Sequence, residues 1–152
     1  MDIGRLVKEG IALCREGNWN QGIERLSTAA ESKSSGDVDS LMYSYLGYGI
    51  AKFKNKRREG LALCEHAVKM EFYQPDNQLN LARTQLLNGN RKRALEAVDR
   101  GLKIDSDHAE LLALKAEMGS RRPPVLGFLD RGNFLNVFLG RLRHSASSKP
   151  SK

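Results

Sequence analysis

The sequence predicts an all-α chain of three helix–turn–helix pairs followed by a capping helix. Three observations carry that prediction. Apolar residues recur at three- and four-residue spacing in segment after segment. Short clusters of Gly, Asn, Asp and Pro separate those segments. Small residues also return at a fixed interval: Ala82 to Ala116 is 34 residues, and so is Gly60 to Ala94.

The clearest unit is Leu79–Asp105, two helical patterns joined by a tight turn at Asn88–Gly89, with Ala82, Ala94 and Gly101 placed where the two helices would touch. In chain order, Ile3, Leu6, Val7, Gly10, Ile11 and Cys14 form the first apolar stripe. Gly17 ends it, because glycine takes a positive φ without strain. A second helix is expected from about Asn20 to Glu31, and Ser32–Asp39 is a polar break. A third spans Ser40–Phe53, where Gly47 and Gly49 bare one face for a close neighbour, and a fourth runs from Arg58 to Glu71. Pro75 interrupts the pattern before the pair that begins near Asn77. Asp107 is the expected N-cap of a seventh helix, His108–Met118.

The chain of 152 residues suffices for one continuous core, and its 40% apolar content is ordinary for a soluble protein. No apolar run approaches the length of a membrane span, and MDIGRLVKEG is too charged for a secretory leader. A cytoplasmic location is expected. Cys14 and Cys64 both sit in apolar helical surroundings and read as small buried hydrophobes. The net charge of +7 is uneven: 18 basic against 17 acidic side chains through residue 120, and 7 against 1 beyond it.

Superposing the pairs aligns Gly10, Gly47, Ala82 and Ala116 in the first helices and Gly22, Gly60 and Ala94 in the second. Leu26, Cys64 and Val98 follow, then Ala29, Ala67 and Gly101. This small–small–large–small pattern resembles the tetratricopeptide repeat over about Ile3–Met118. The resemblance implies a right-handed superhelix, residues 3–119, with a concave groove lined by the first helices and a role as a non-catalytic scaffold or adaptor. Glu9 stands where the family prefers an apolar residue, and Ser106 where it often has Pro.

On that register the groove carries Val7, Ile11 and Arg15, then Ser44, Tyr48 and Lys52, then Leu79, Arg83 and Leu86. An apolar floor with one cation per repeat suits a protein or peptide segment bearing an apolar anchor and an acidic group. Chaperone-adaptor members of the family clamp a terminal carboxylate with Lys and Asn. The matching places here hold Val7, Ile11, Tyr45, Asp76 and Asn80, so that clamp is not expected. A basic edge is expected from Lys56, Arg57 and Arg58 on one turn and Arg91, Lys92 and Arg93 on the equivalent turn one repeat later, with no specific nucleic acid as its ligand. The scattered His66, His108 and His144 and the absence of a phosphate loop speak against an enzyme, a metal site or a cofactor.

Residues 120–144 read as a Pro-started tail, with an apolar face of Phe128, Leu129, Phe134, Leu135, Phe138, Leu139 and Leu142 between arginines. The run RRPP…LGRLRH resembles a terminal extension of bacterial proteins of this repeat family. Three roles are open to it: a cap on the last repeat, a docking helix for another chain or a second copy, or an anchor on an anionic membrane. Residues 145–152, rich in Ser and Lys, are expected to be disordered.

Overall fold

A computed structural model describes residues 2–32 and 38–119. Seven helices and no strand occur among them: α1 Ile3–Arg15, α2 Trp19–Glu31, α3 Ser40–Phe53, α4 Arg57–Met70, α5 Pro75–Leu87, α6 Arg91–Ile104 and α7 Ala109–Gly119. The chain divides into two units, Met1–Ala116 and Glu117–Lys152. The tail residues Phe128, Leu129, Phe134, Leu135, Phe138, Leu139 and Leu142 lie outside the described residues.

A side chain or a proline settles the first turn of α1, α3, α5 and α7, the first helices of the repeats. Asp2 accepts from the Arg5 N–H at 3.1 Å and Asp39 from the Leu41 N–H at 2.9 Å. Pro75 does more than interrupt a helix: it is the first residue of α5, where its missing N–H is no loss and its fixed φ suits the turn. At α7 the cap is His108, not Asp107. The His108 Nδ1 accepts from the Leu111 N–H at 3.2 Å, while the Asp107 N–H donates to Asp105 in the preceding turn. The three turns inside the pairs share one device, a single left-handed residue: Gly17 (φ 89°), Asn55 (φ 56°) and Gly89 (φ 78°).

Within the first unit, α1 packs on α2 and α3, α3 on α4 and α5, and α5 on α6. The recurring small residues are the contact points. A Cβ on Gly47 would lie 2.7 Å from the Gly60 carbonyl, and one on Gly10 would lie 2.7 Å from Leu26. Leu26, Met42, Tyr45, Val98 and Leu111 fill the interior between these close approaches. Cys14 and Cys64 are free and buried, and burial pushes both thiols up to about 12.

Not all of the interior is apolar. Helix α5 turns Asn77, Gln78, Asn80 and Thr84 inward, all without solvent exposure. Asn77 donates to Ser40 at 2.9 Å and to the Ala67 carbonyl at 3.2 Å; Asn80 donates to Ser44 at 3.0 Å. This polar seam joins α5 to α3 and α4 through bonds that exist in one register only.

Candidate functional site

The nine residues expected to line the groove divide in two. Arg15, Tyr48, Lys52 and Arg83 line one concave pocket of about 190 Å³. Val7, Ile11, Ser44 and Leu79 do not reach it; they are buried in the interior, and Leu86 is half-buried outside the pocket. The physical reason is the slant of the ridges. Residues four apart on a helix form rows inclined to its axis, so a row that dives under the neighbouring helix at its start emerges at its end. Arg15 and Lys52 end their rows and surface in the pocket; in the third row it is the middle member, Arg83, that surfaces there, and Leu86 beyond it does not.

The pocket draws on every repeat of the first unit. Helix α1 supplies Arg15, α2 supplies Trp19, α3 supplies Tyr45, Tyr48, Lys52 and Phe53, α5 supplies Arg83 and α7 supplies Glu110. Trp19, one residue before the helix start expected at Asn20, opens α2. It is the centre of an aromatic cluster, stacked on Phe53 at 5.7 Å and edge-on to Tyr48 at 5.1 Å between centroids. Gly49 makes room for Ile23 of α2, whose Cγ1 would lie 2.8 Å from a Cβ there, and the indole ring lies beside it at 3.4 Å.

The cations are held over these rings. The Arg83 guanidinium lies 5.3 Å from the Tyr48 centroid, Lys52 Nζ lies 5.9 Å from it, and Arg15 lies 5.4 Å from the Tyr45 centroid. Arg83 pairs with Glu110 at 2.6 Å and Arg15 with Asp76 at 2.8 Å, whereas Lys52 has no carboxylate partner among the described residues.

Asp76 anchors the floor. Its carboxylate accepts from the Tyr45 hydroxyl at 2.6 Å, from Arg15 at 2.8 Å and from His108 Nε2 at 2.7 Å. The His108 Nδ1 already accepts the Leu111 N–H, so Nε2 carries the proton and donates. Burial works against the charge of Asp76, but the bonds from Tyr45, Arg15 and His108 outweigh it and hold the carboxyl below the usual range. The Tyr45 phenol is raised by burial and by its bond to Asp76, and Arg15 is raised chiefly by Asp76. All three stay in their ordinary protonation state at neutral pH, and the network ties α1, α3 and α5 to the residue that caps α7.

The basic residues form a second surface. Lys56, Arg57 and Arg58 are exposed and line an open concavity of about 490 Å³ at the start of α4. Lys92 and Arg93 are exposed at the start of α6, with Arg91 half-buried beside them. Asn88 reaches from the α5–α6 turn to the Arg57 carbonyl at 3.5 Å and ties the two turns together.

The fold is that of an all-α helical repeat. Residues 54–118 match the family model of the tetratricopeptide repeat. The first tetratricopeptide-repeat domain of Spaghetti (RPAP3), solved bound to the HSP90 peptide SRMEEVD, is similar with a TM-score of 0.60 at 11% identity, over 77% of this chain and 90% of that one. The first such domain of human RPAP3, solved by NMR, gives 0.62 at 11% identity, over 77% and 89%. MamA gives 0.56 at 17% identity, over 76% and 68%. No curated protein matches the sequence. Residues 54–118 are thus a tetratricopeptide-repeat segment, set in an all-α helical-repeat fold.

Proposed function

We propose that the pocket between α1, α3 and α5 binds a short segment of another protein. The segment lays an apolar side chain on the Trp19–Tyr48–Phe53 face and brings an acidic group to Lys52. The observation that carries this reading is the convergence of aromatic faces and three cations, from separate repeats, on one concave surface. Desolvated aromatics beside a charged group are the usual anchors of peptide recognition. That the Spaghetti domain, a neighbour in fold alone, was solved with an acidic heptapeptide agrees with a segment of this size and charge.

The test is a display library of random heptapeptides selected against the full chain, followed by fluorescence anisotropy with the enriched peptides. Lys52 is exposed, and Lys52→Glu leaves the core untouched. The expected result is peptides that pair an acidic with an apolar residue and bind Lys52→Glu at least roughly tenfold more weakly, the equivalent of about 1.4 kcal/mol. Failure to enrich any peptide, or equal binding to Lys52→Glu and Arg83→Glu, overturns the proposal.

A further inference from the structure

The cations of this chain are treated differently on different faces. Arg5, Arg15, Arg25, Arg83 and Lys115 each lie within 4.0 Å of a carboxylate. The two basic turns are the exception. Lys54, Arg57, Arg58, Lys92 and Arg93 are exposed and have no carboxylate partner among the described residues, and Lys56 has only Glu59, at 3.9 Å. Lys8, Lys52, Lys69, Arg100 and Lys103, which also have no carboxylate partner among the described residues, are spread over α1, α3, α4 and α6, and Arg100 bonds Gln78 instead.

The two turns repeat each other. Arg57 and Arg91 open α4 and α6 and stand 34 residues apart. Neither N-cap, Lys56 or Asn90, makes a side-chain cap bond, so the first-turn N–H groups of both helices add positive potential to the same edge. Asn88 fixes the spacing between the turns through the Arg57 carbonyl. The result is a row of like charges that the fold holds together against their own repulsion, in which Lys54, Arg57, Arg58, Lys92 and Arg93 have no carboxylate partner among the described residues.

We propose that this edge carries the phosphate backbone of a nucleic acid, without reading bases. A protein partner fits it less well. Protein interfaces are poor in lysine and need a buried apolar anchor, and neither Lys54–Glu59 nor Asn90–Arg93 offers one. A phosphate chain needs no such anchor. Its affinity comes from released counter-ions, which a cluster of unpaired Lys and Arg supplies.

The tail beyond residue 120 is also basic, so the experiment separates the two sources within the full chain. A fluorescein-labelled 15-nucleotide single strand, the matching duplex and poly-glutamate of equal charge are titrated by anisotropy between 50 and 200 mM salt. The proteins are the wild type and the variant Lys54→Ala/Arg58→Ala/Lys92→Ala/Arg93→Ala, all four sites being exposed. The wild type is expected to bind an oligonucleotide at 50 mM salt and weaken steeply. The variant should bind at least roughly tenfold more weakly, with a log–log salt slope shallower by about 3, near 0.7 per phosphate lost. The pairs Lys54→Ala/Lys92→Ala and Arg58→Ala/Arg93→Ala should each remove about half of that slope. Three results overturn the proposal: no wild-type binding, variant binding equal to wild type (an attraction that belongs to the tail), or poly-glutamate bound as tightly as the oligonucleotide.

Discussion

Replacing Asp76 with Ala tests whether the pocket floor is a stabilising network or a tolerated burial. The carboxylate receives three bonds from three other segments, and its side chain is 14% exposed. The donors are not equal. Tyr45 is 2% exposed and the His108 side chain 14%, so each loses a charge-assisted bond with little water to replace it, about 1.5 kcal/mol apiece. Arg15 is 51% exposed and rehydrates readily, adding under about 1 kcal/mol. The expected loss is therefore about 3 kcal/mol, or about 12 °C in melting temperature for a repeat body of this size. Thermal and urea unfolding followed by circular dichroism read it directly. A loss below about 1 kcal/mol would refute the reasoning, because the desolvation of the buried carboxylate would then cancel its bonds. The pH dependence gives an independent check. The folded-state pKa of Asp76 is lowered, so the unfolded chain binds the proton more readily. The stability it contributes is complete above the unfolded value of about 4 and is lost as pH falls through the lower folded value. The part of the gap between wild type and Asp76→Ala that comes from this carboxylate should accordingly be lost as pH falls below about 4.

Two further outcomes follow from packing. In Gly60→Val the new side chain would meet the Gly47 carbonyl and, at 2.7 Å, the Ala51 Cβ, and should lower the urea-unfolding stability by about 3 kcal/mol. In Gly89→Ala the Cβ meets nothing within 4 Å, and only the strain of φ 78° remains, about 1 kcal/mol. The thiols of Cys14 and Cys64, raised to about 12, should stay silent to a thiol reagent at pH 8 in the folded chain and react together once it unfolds.

Much of this architecture was legible because its signals are local. The alternation of small and large residues marked where helices touch, and Gly17, Asn55 and Gly89 marked where the chain turns within each pair. What was not legible needed the third dimension. Val7 and Ile11 belong to the same row as Arg15, and nothing in a helical wheel says that the row slips under α2 and α3 before it reaches the groove. Helix α5 hid its inner face because Asn77, Gln78 and Asn80 look like solvent residues until Ser40, Ser44 and the Phe72 carbonyl are seen to receive them. His108 looked like a stray histidine because its two partners, Asp76 and the Leu111 N–H, are brought together only by the packing of α7 against the third pair.

Asp76 also bears on what the pocket would select. On the resemblance drawn from the sequence, it occupies one of the places that match the Lys and Asn clamp of chaperone adaptors, and here an internal carboxylate is already seated. Arg15 is bound to it and Arg83 is bound to Glu110, so an incoming acid must compete with a partner the fold has positioned at 2.8 or 2.6 Å. Lys52 carries no such commitment and stands beside Tyr48 and Phe53. On the proposed reading, the acidic group of a ligand therefore goes to Lys52, while the two arginines act as fixed dipolar walls that hold the aromatic faces in place. Charge reversal at Lys52 then weakens binding without loosening the fold. The change Glu110→Gln should do the opposite of a loss: it frees Arg83 for the ligand and strengthens the binding of acidic peptides.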